Sequence, residues 1–500
     1  MIERRGRKTA ERATGAMERA AESSTAFARP AVSPLDALAL EMAAEHPLLT
    51  PTYSRWFMSV MLIVMIVSFA DRAIVSVLAQ PIKEDLNLTD TDLGMIQGLG
   101  FSILYACLGI PLGILAERAS RKLLIAASIA IWSVVTALCG AATSFFTLLL
   151  CRIGVGIGEA GVMPPAVSLI SDHFTPSRRG SMLGVLNLGA PIGFLIGQVL
   201  GGWIASQWGW RMAFYVMGAP GVLFALLVVL TVREPPRGLI EGTMTEAQSK
   251  PPSAMDAARY LFAKPAFRNL LLGYTLANFT MNAIANFVLP FFMRGFGVSL
   301  ANVSLLFGMV TFTSNGVGML LGGFGFDWLR KRDLRWPVWG PGITLLLGIP
   351  IYFAGFYSRS YYASMALVWF GNMTVVTFMA PTLGSMQNMA GPRMRAMTSA
   401  LSAMIVALFG AGIGPMVVGM LSDRIAQRVY STGNFFTHCP GGRAPGAAGS
   451  PADAACLAAS GDGLRYALII ILAVLIWASF HYFRAGRTLR QDLYHPPVDR

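Results

Sequence analysis

Apolar residues in this chain neither alternate with polar ones nor trace a single stripe. They run for about twenty residues at a time and then yield to short polar turns. A bilayer core about 30 Å thick demands roughly that length from one helix. Twelve runs qualify: 55–79, 92–115, 122–142, 144–169, 180–205, 210–232, 268–292, 301–326, 335–357, 360–386, 396–422 and 464–485. Barrel strands would instead alternate over segments of about ten residues. Helices are the spanning element that satisfies its own backbone hydrogen bonds. The pattern therefore predicts an all-α integral membrane protein with twelve transmembrane helices.

Composition agrees: 54% of the 500 residues are hydrophobic and 13% charged, with mean hydropathy +0.57. A soluble domain carries about 25% charged residues. The net charge of +13 adds an orientation rather than a partner. With both termini cytoplasmic, as an even number of spans permits, 29 of the 39 basic residues fall in segments on that side. That is the positive-inside bias. The basic excess thus faces anionic lipid at the inner surface, with no call for nucleic acid.

Residues 1–54 lack the apolar core of a secretory signal and are expected to be a disordered cytoplasmic tail. Residues 233–267 hold five prolines, end in a possible short surface helix, and read as a cytoplasmic linker. This divides the chain into a six-helix half at 55–232, a second at 268–485 with a long outer loop at 423–463, and a cytoplasmic tail at 486–500. Cys439 and Cys456 both lie in that outer loop, where a disulfide is expected; the alternative is two unpaired thiols. Cys107, Cys139 and Cys151 fall in spans as packing residues.

The halves repeat a signature. "GILAERASRK" (Gly113 to Lys122) follows span 2, and "GFGFDWLRKR" (Gly323 to Arg332) follows span 8. Each has a glycine, an acid four residues on, and a basic pair four and five residues after the acid. Before spans 5 and 11 come "TPSRRGSMLG" and "GPRMRAMTSA". Two six-helix halves with a duplicated loop are the plan of a transporter with pseudo-two-fold symmetry.

The first loop closely resembles the signature of the major facilitator superfamily. The resemblance implies a gating latch that joins the halves on the cytoplasmic side in the outward-open state. It would be formed by Gly113, Glu117, Arg118, Arg121 and Lys122, with Asp327, Lys331 and Arg332 as a weaker second copy. Ser120 stands where the family usually has glycine, and Trp328 where it has arginine. A narrower resemblance to the spinster-like branch rests on the stretch from Phe69 to Lys122 and on "CRIGVGIGEAGVMPPAVSLISDHFTPSRRGSMLG". It implies lysolipid export, or proton-coupled carriage in bacterial relatives, and a multi-pass protein of the bacterial inner membrane. A monomer is the superfamily default.

Charges inside apolar runs are the candidate chemistry. A mid-bilayer charge costs about 2.5–3.5 kcal/mol even on the gentler scale, so it needs partners or water. Asp71 and Arg72 are adjacent in span 1, about 100° apart around the helix. Arg152 and Glu159 in span 4 are seven residues apart, on one face and roughly 10 Å along the axis. Gly154, Gly156, Gly158 and Gly161 leave room beside them. These four charges have the makings of a proton switch, with Asp71 expected to pair with Arg152 when ionised. In the spinster-like branch the positions matching Asp71, Arg152 and Glu159 are associated with proton coupling and substrate contact. The competing reading is a static ion network that fixes helix register.

Asn278, Asn282 and Asn286 recur every four residues in span 7. They are weighed as cavity lining against interhelical hydrogen bonding. Gln97 and Tyr105 join them as candidate cavity residues, with Asn187, Asn315 and Asn372 behind.

The function expected is a secondary active transporter working by alternating access. It would be proton-coupled and would move an amphipathic anion such as a lysolipid. A carrier of a small organic acid or drug-like amphiphile is the alternative within the class, and a transport-like receptor the alternative outside it. A membrane enzyme is disfavoured because the five histidines are scattered (His46, His173, His438, His481, His495). No cofactor is expected beyond the proton gradient, since the sequence has no nucleotide-binding loop.

Overall fold

In a computed structural model, residues 48, 50–237, 254–391, 394–446 and 449–494 are described. All regular elements among them are helices. The expected N-terminal tail lies almost wholly outside the described residues, as do linker positions 238–253 and the last six residues.

Eleven apolar segments are long enough to span: α1 (Pro51–Asp85), α2 (Asp90–Gly109), α3 (Arg121–Cys139), α4 (Phe145–His173), a segment at Arg178–Thr231, α7 (Pro265–Phe296), α8 (Leu300–Arg330), α9 (Trp336–Tyr357), α10 (Tyr361–Met389), α11 (Met397–Val429) and α12 (Pro451–Asp492). The segment Arg178–Thr231 is 54 residues long, far more than one crossing needs. It breaks at Gly209, whose φ of 83° is closed to most side chains, and so supplies two crossings, α5 (178–208) and α6 (210–231). The twelve expected helices are thereby accounted for. A short helix at Ala254–Ala263 precedes α7, with Leu261 buried under it.

Small residues decide the packing. Cβ atoms added at Gly189, Gly193 and Gly197 of α5 would meet Met65 Cβ at 2.5 Å, Ile66 O at 2.4 Å and Ala70 O at 2.3 Å on α1. Within apolar surroundings such backbone proximity is what brings helices together. Three seams between spanning helices join the halves: α1 with α7, α2 with α11, and α5 with α8.

The two ends of the bundle differ. One carries the start of α1 and the end of α12; the other, called here the far end, carries the turns after α1 and α7. On the far-end side, Cβ atoms at Gly94 and Gly98 of α2 would stand 2.4 Å from the Pro415 carbonyl and 2.1 Å from that of Gly412. A Cβ at Gly202 of α5 would stand 2.0 Å from Ser304 Oγ on α8. On the terminal side, Gly109, Gly180, Gly184, Gly316, Gly323 and Gly384 have nothing within 4 Å of an added Cβ. The halves close tightly at the far end and stand apart towards the termini.

The helices outrun their apolar cores. α1 extends six residues past the expected end, and α12 begins at Pro451 rather than 464. The expected outer loop at 423–463 shrinks to 430–450 between α11 and α12. Helix α12 also continues to Asp492, into the stretch expected as tail.

Candidate functional site: a buried charge cluster between α1 and α4

The local chain explains why Glu159 sits where it does. Helix α4 is interrupted after Ala160 and resumes at Met163, with Pro164 and Pro165 in the first turn of the new piece. Proline lacks an amide hydrogen and is suited to a first turn. Glu159 therefore lies in the last turn before a break inside a span. Helix α10 has a matching interruption between Val376 and Met379.

Glu159 is 2% exposed and faces α1. Its Oε2 accepts a short hydrogen bond from Arg72 Nε and another from Ser68 Oγ at 3.3 Å, while Oε1 has no hydrogen-bond partner. The Arg72 guanidinium lies over the rings of Phe69, Phe101 and Tyr105, 5.0, 4.9 and 4.8 Å from their centroids. Aromatic faces attract a desolvated cation by about 2 kcal/mol. Arg72 is thus held by one carboxylate and three rings.

Asp71 is equally buried, but on another face of α1. Its Oδ2 accepts from Thr136 Oγ1 on α3 at 2.9 Å, and Oδ1 is unpaired. It lies within electrostatic reach of Glu159, Arg152 and Arg72. Arg152 is 2% exposed, and its Nε and Nη1 have no hydrogen-bond partner; Phe101 sits 5.5 Å beneath it. The expected Asp71–Arg152 pair is not formed: among the described residues, Arg152 has no ion pair, and the pair present is Arg72–Glu159. Glu159 takes Arg72, and Thr136 takes the aspartate. Both side-chain polar atoms of Gln97 are also buried without partners. They lie in a π-helical turn, Met95–Leu99, which abuts a second one in α11, Val406–Gly412. Such turns are rare and recur at functional sites.

The asparagine stripe of α7 bonds to its own helix. Nδ2 of Asn278, Asn282 and Asn286 donates to the carbonyl four residues earlier, at 2.9, 2.9 and 2.8 Å. No interhelical hydrogen bond from these amides occurs among the described residues. Asn278 Cβ is 3.0 Å from where a Cβ on Gly410 of α11 would stand.

Of the expected latch, Arg121 is bound by the first half and the start of the linker, with no bond to the second half among the described residues. Its guanidinium reaches Asp172 through a short bond, Ser168 at 3.1 Å, Glu234 at 3.2 Å and the Pro235 carbonyl at 2.8 Å. Partial burial acts to raise the Glu234 carboxyl. Hydrogen bonds from Ser120 and Arg121 outweigh it and hold the group below the ordinary glutamate range. A Cβ added at Gly113 would stand 3.9 Å from Pro164 Cβ. Glu117, Arg118 and Lys122 make no ion pair among the described residues, nor do Asp327, Lys331 and Arg332. Arg332 lies over Trp328, 4.7 Å from the ring centroid.

A second charge cluster was not anticipated. At the far end, Asp90 of α2 accepts from Lys83 of α1 at 2.7 Å, from both terminal nitrogens of Arg294 of α7 at 2.7 Å, and from Ser422 of α11 at 2.6 Å. Arg294 Nε donates to Gln80 at 2.6 Å, and its Nη1 to Ser460 at 3.1 Å. Asp423 of α11 accepts from the backbone amides of Asp90 and Thr91, at 3.0 and 2.8 Å, and so caps the start of a helix in the other half. The side chains of Lys83, Asp90 and Arg294 are 2% exposed or less. Nothing in the apolar pattern signals this cluster, because all four charges fall just outside the apolar runs, where charge is ordinary.

Twelve spanning helices in two halves, closed at one end and holding unpaired polar atoms at mid-membrane, define a multi-pass membrane transport protein. The family description "Major Facilitator Superfamily" matches residues 60–415, and the chain belongs to that family. Among relatives, an MFS-type efflux pump of Mycolicibacterium smegmatis is 33% identical over 368 residues, covering 74% of this chain and 84% of that protein. Human protein spinster homolog 1 is 28% identical over 401 residues, covering 76% and 75%. A crystal structure of a bacterial homologue of the human lysosomal transporter spinster, inward-facing and unoccupied, superposes with TM-score 0.79 at 32% identity. That match covers 90% of this chain and 100% of the other. The chain is spinster-like within its family.

Proposed function

We propose that this protein is a proton-coupled secondary transporter that works by alternating access and carries an amphipathic anion such as a lysolipid. The observation that carries the reading is a buried cation with no ion pair among the described residues. Arg152 is removed from water and left without an ion pair, among carboxylates that are themselves half-satisfied. A buried charge of this kind is costly unless an anion answers it, and an anionic head group would do so. The positive-inside bias makes the terminal end cytoplasmic, so the gap towards the termini would open inward. Protonating Glu159 would release Arg72, and protonating Asp71 would cancel a charge on the other face of α1. Either change alters what the two helices gain by staying in register. The same cation would serve a small organic acid.

The test is transport by purified protein in vesicles under an imposed pH gradient, with a lysophospholipid and a panel of small organic acids. Wild type should move the lysolipid faster with the gradient than without. Asp71→Asn and Glu159→Gln should lose that acceleration by about tenfold or more, about 1.4 kcal/mol, with unchanged thermal midpoints. Gradient-driven rates equal to wild type in both variants would sink the coupling. Movement of organic acids alone would keep the coupling and overturn the lipid.

A further inference from the structure

The loop between α11 and α12 does more than connect them. Cys439 and Cys456 form a disulfide, and both residues are buried with Phe435, Ala426 and Ala459 in a small core separate from the main one. The turn Pro440–Gly442 at its tip is laid on the end of α1, in the opposite half. Gly441 and Gly442 have φ of 66° and 86°, conformations that L side chains rarely adopt. A Cβ on Gly441 would meet the Lys83 carbonyl at 3.0 Å, and one on Gly442 would lie 3.6 Å from Lys83 Nζ. Beside them, the Arg443 guanidinium lies 3.6 Å from Glu84 of α1 and 3.1 Å from Asp453 of α12. Asp453 also accepts from the amides of Ala444 and Gly449, which fixes the base of the loop.

We propose that this disulfide-stapled loop is a strap: an element of the second half that seals the buried Lys83–Asp90–Arg294 cluster and must lift off α1 before the far end can open. The disulfide holds the tip in the shape that fits against α1. The Arg443–Glu84 contact is exposed and adds little, since such pairs contribute about 0–1 kcal/mol. Most of the hold comes from the close backbone seat of Gly441. The inference rests on alternating access but on neither the substrate nor the proton.

Lys83 is its own reporter: it is 2% exposed with the far end shut, and lifting the strap would bare it. The full-length protein in vesicles is treated with a membrane-impermeant amine-reactive ester, and modification of Lys83 is read by mass spectrometry. Gly441→Val keeps the disulfide but wedges the tip off α1, and should raise Lys83 modification about tenfold. Cys439→Ser with Cys456→Ser should do the same by loosening the tip, and Arg443→Ala should raise it about twofold or less. Wild-type modification in Gly441→Val and in the double serine variant, at unchanged thermal midpoints, overturns the strap. Lys83 that stays unreactive in wild type under every substrate and gradient condition, while the strap variants expose it, upholds the strap and instead tells against alternating access.

Discussion

The two ends of the bundle solve opposite problems with the same residue types. At the far end, glycines let α2 touch α11 and α5 touch α8, and the buried charges Asp90, Arg294 and Asp423 are answered across the seam. Asp90 alone collects donors from α1, α7 and α11. Towards the termini, glycines of α2, α5, α8 and α10 face open space, and Arg121 is answered from its own half and the start of the linker. A charge network that crosses a seam is a fastener. One that stays inside a half is part of the half's own structure. The comparison teaches that charge near a membrane surface cannot be assigned a role by sign and place alone; its partners decide.

The sharpest way to break the fastener is to remove Arg294. Arg294→Met leaves Asp90 buried with Lys83 as its remaining cation, and taking one partner from a buried pair costs about 3–5 kcal/mol. Lowered thermal stability and a far end that no longer stays shut are expected, read as a drop in midpoint and as increased labelling of Lys83. Unchanged midpoint and labelling would show that the network contributes nothing to closure. The matching change inside a half, Arg121→Ala, takes the buried guanidinium away from Asp172 and from Glu234, which keeps its bonds from Ser120 and the backbone amide of residue 121. It should lower the midpoint without exposing Lys83, which separates a structural cluster from a fastening one.

Next in size is a test of the glycines. Gly98→Ala places a methyl 2.1 Å from the Gly412 carbonyl, whereas Gly109→Ala meets nothing within 4 Å. Overpacking of a tight contact costs about 1–3 kcal/mol. The first variant should therefore shift the protein away from far-end closure while the second leaves Lys83 labelling unchanged. Equal labelling in the two would mean that the α2–α11 seam yields freely.

The twelve helices were legible because hydropathy reports bilayer depth directly. Their ends were not. Helix α12 starts thirteen residues before its apolar run, where "PADAACLAASGDG" is too polar to read as a span, and Cys456 and Asp453 are buried by the strap rather than by lipid. The charges of the central cluster stood out because Asp71, Arg72, Arg152 and Glu159 interrupt apolar runs. Their pairing did not, since it depends on how α1 packs between its neighbours: Arg72 meets Glu159 of α4 while Asp71 meets Thr136 of α3. Lys83, Asp90, Arg294 and Asp423 were invisible for a plainer reason: each lies a few residues beyond an apolar run, and only the crossing of four helices brings them together.

The smallest effect separates the two copies of the repeated loop. In the first, Arg121 is buried among four acceptor residues. In the second, Arg332 is exposed and lies over Trp328, which is itself 56% exposed. A cation over an exposed ring gains about 0.5–1 kcal/mol, and the stacking here joins two residues of one loop. Arg332→Ala should therefore leave the thermal midpoint within about a degree or two of wild type, in contrast to Arg121→Ala. A larger drop would mean that Arg332 has a partner in another state of the transport cycle, one in which the second copy meets the first half. The two loops would then share a role that this state, with the halves apart at that end, keeps hidden.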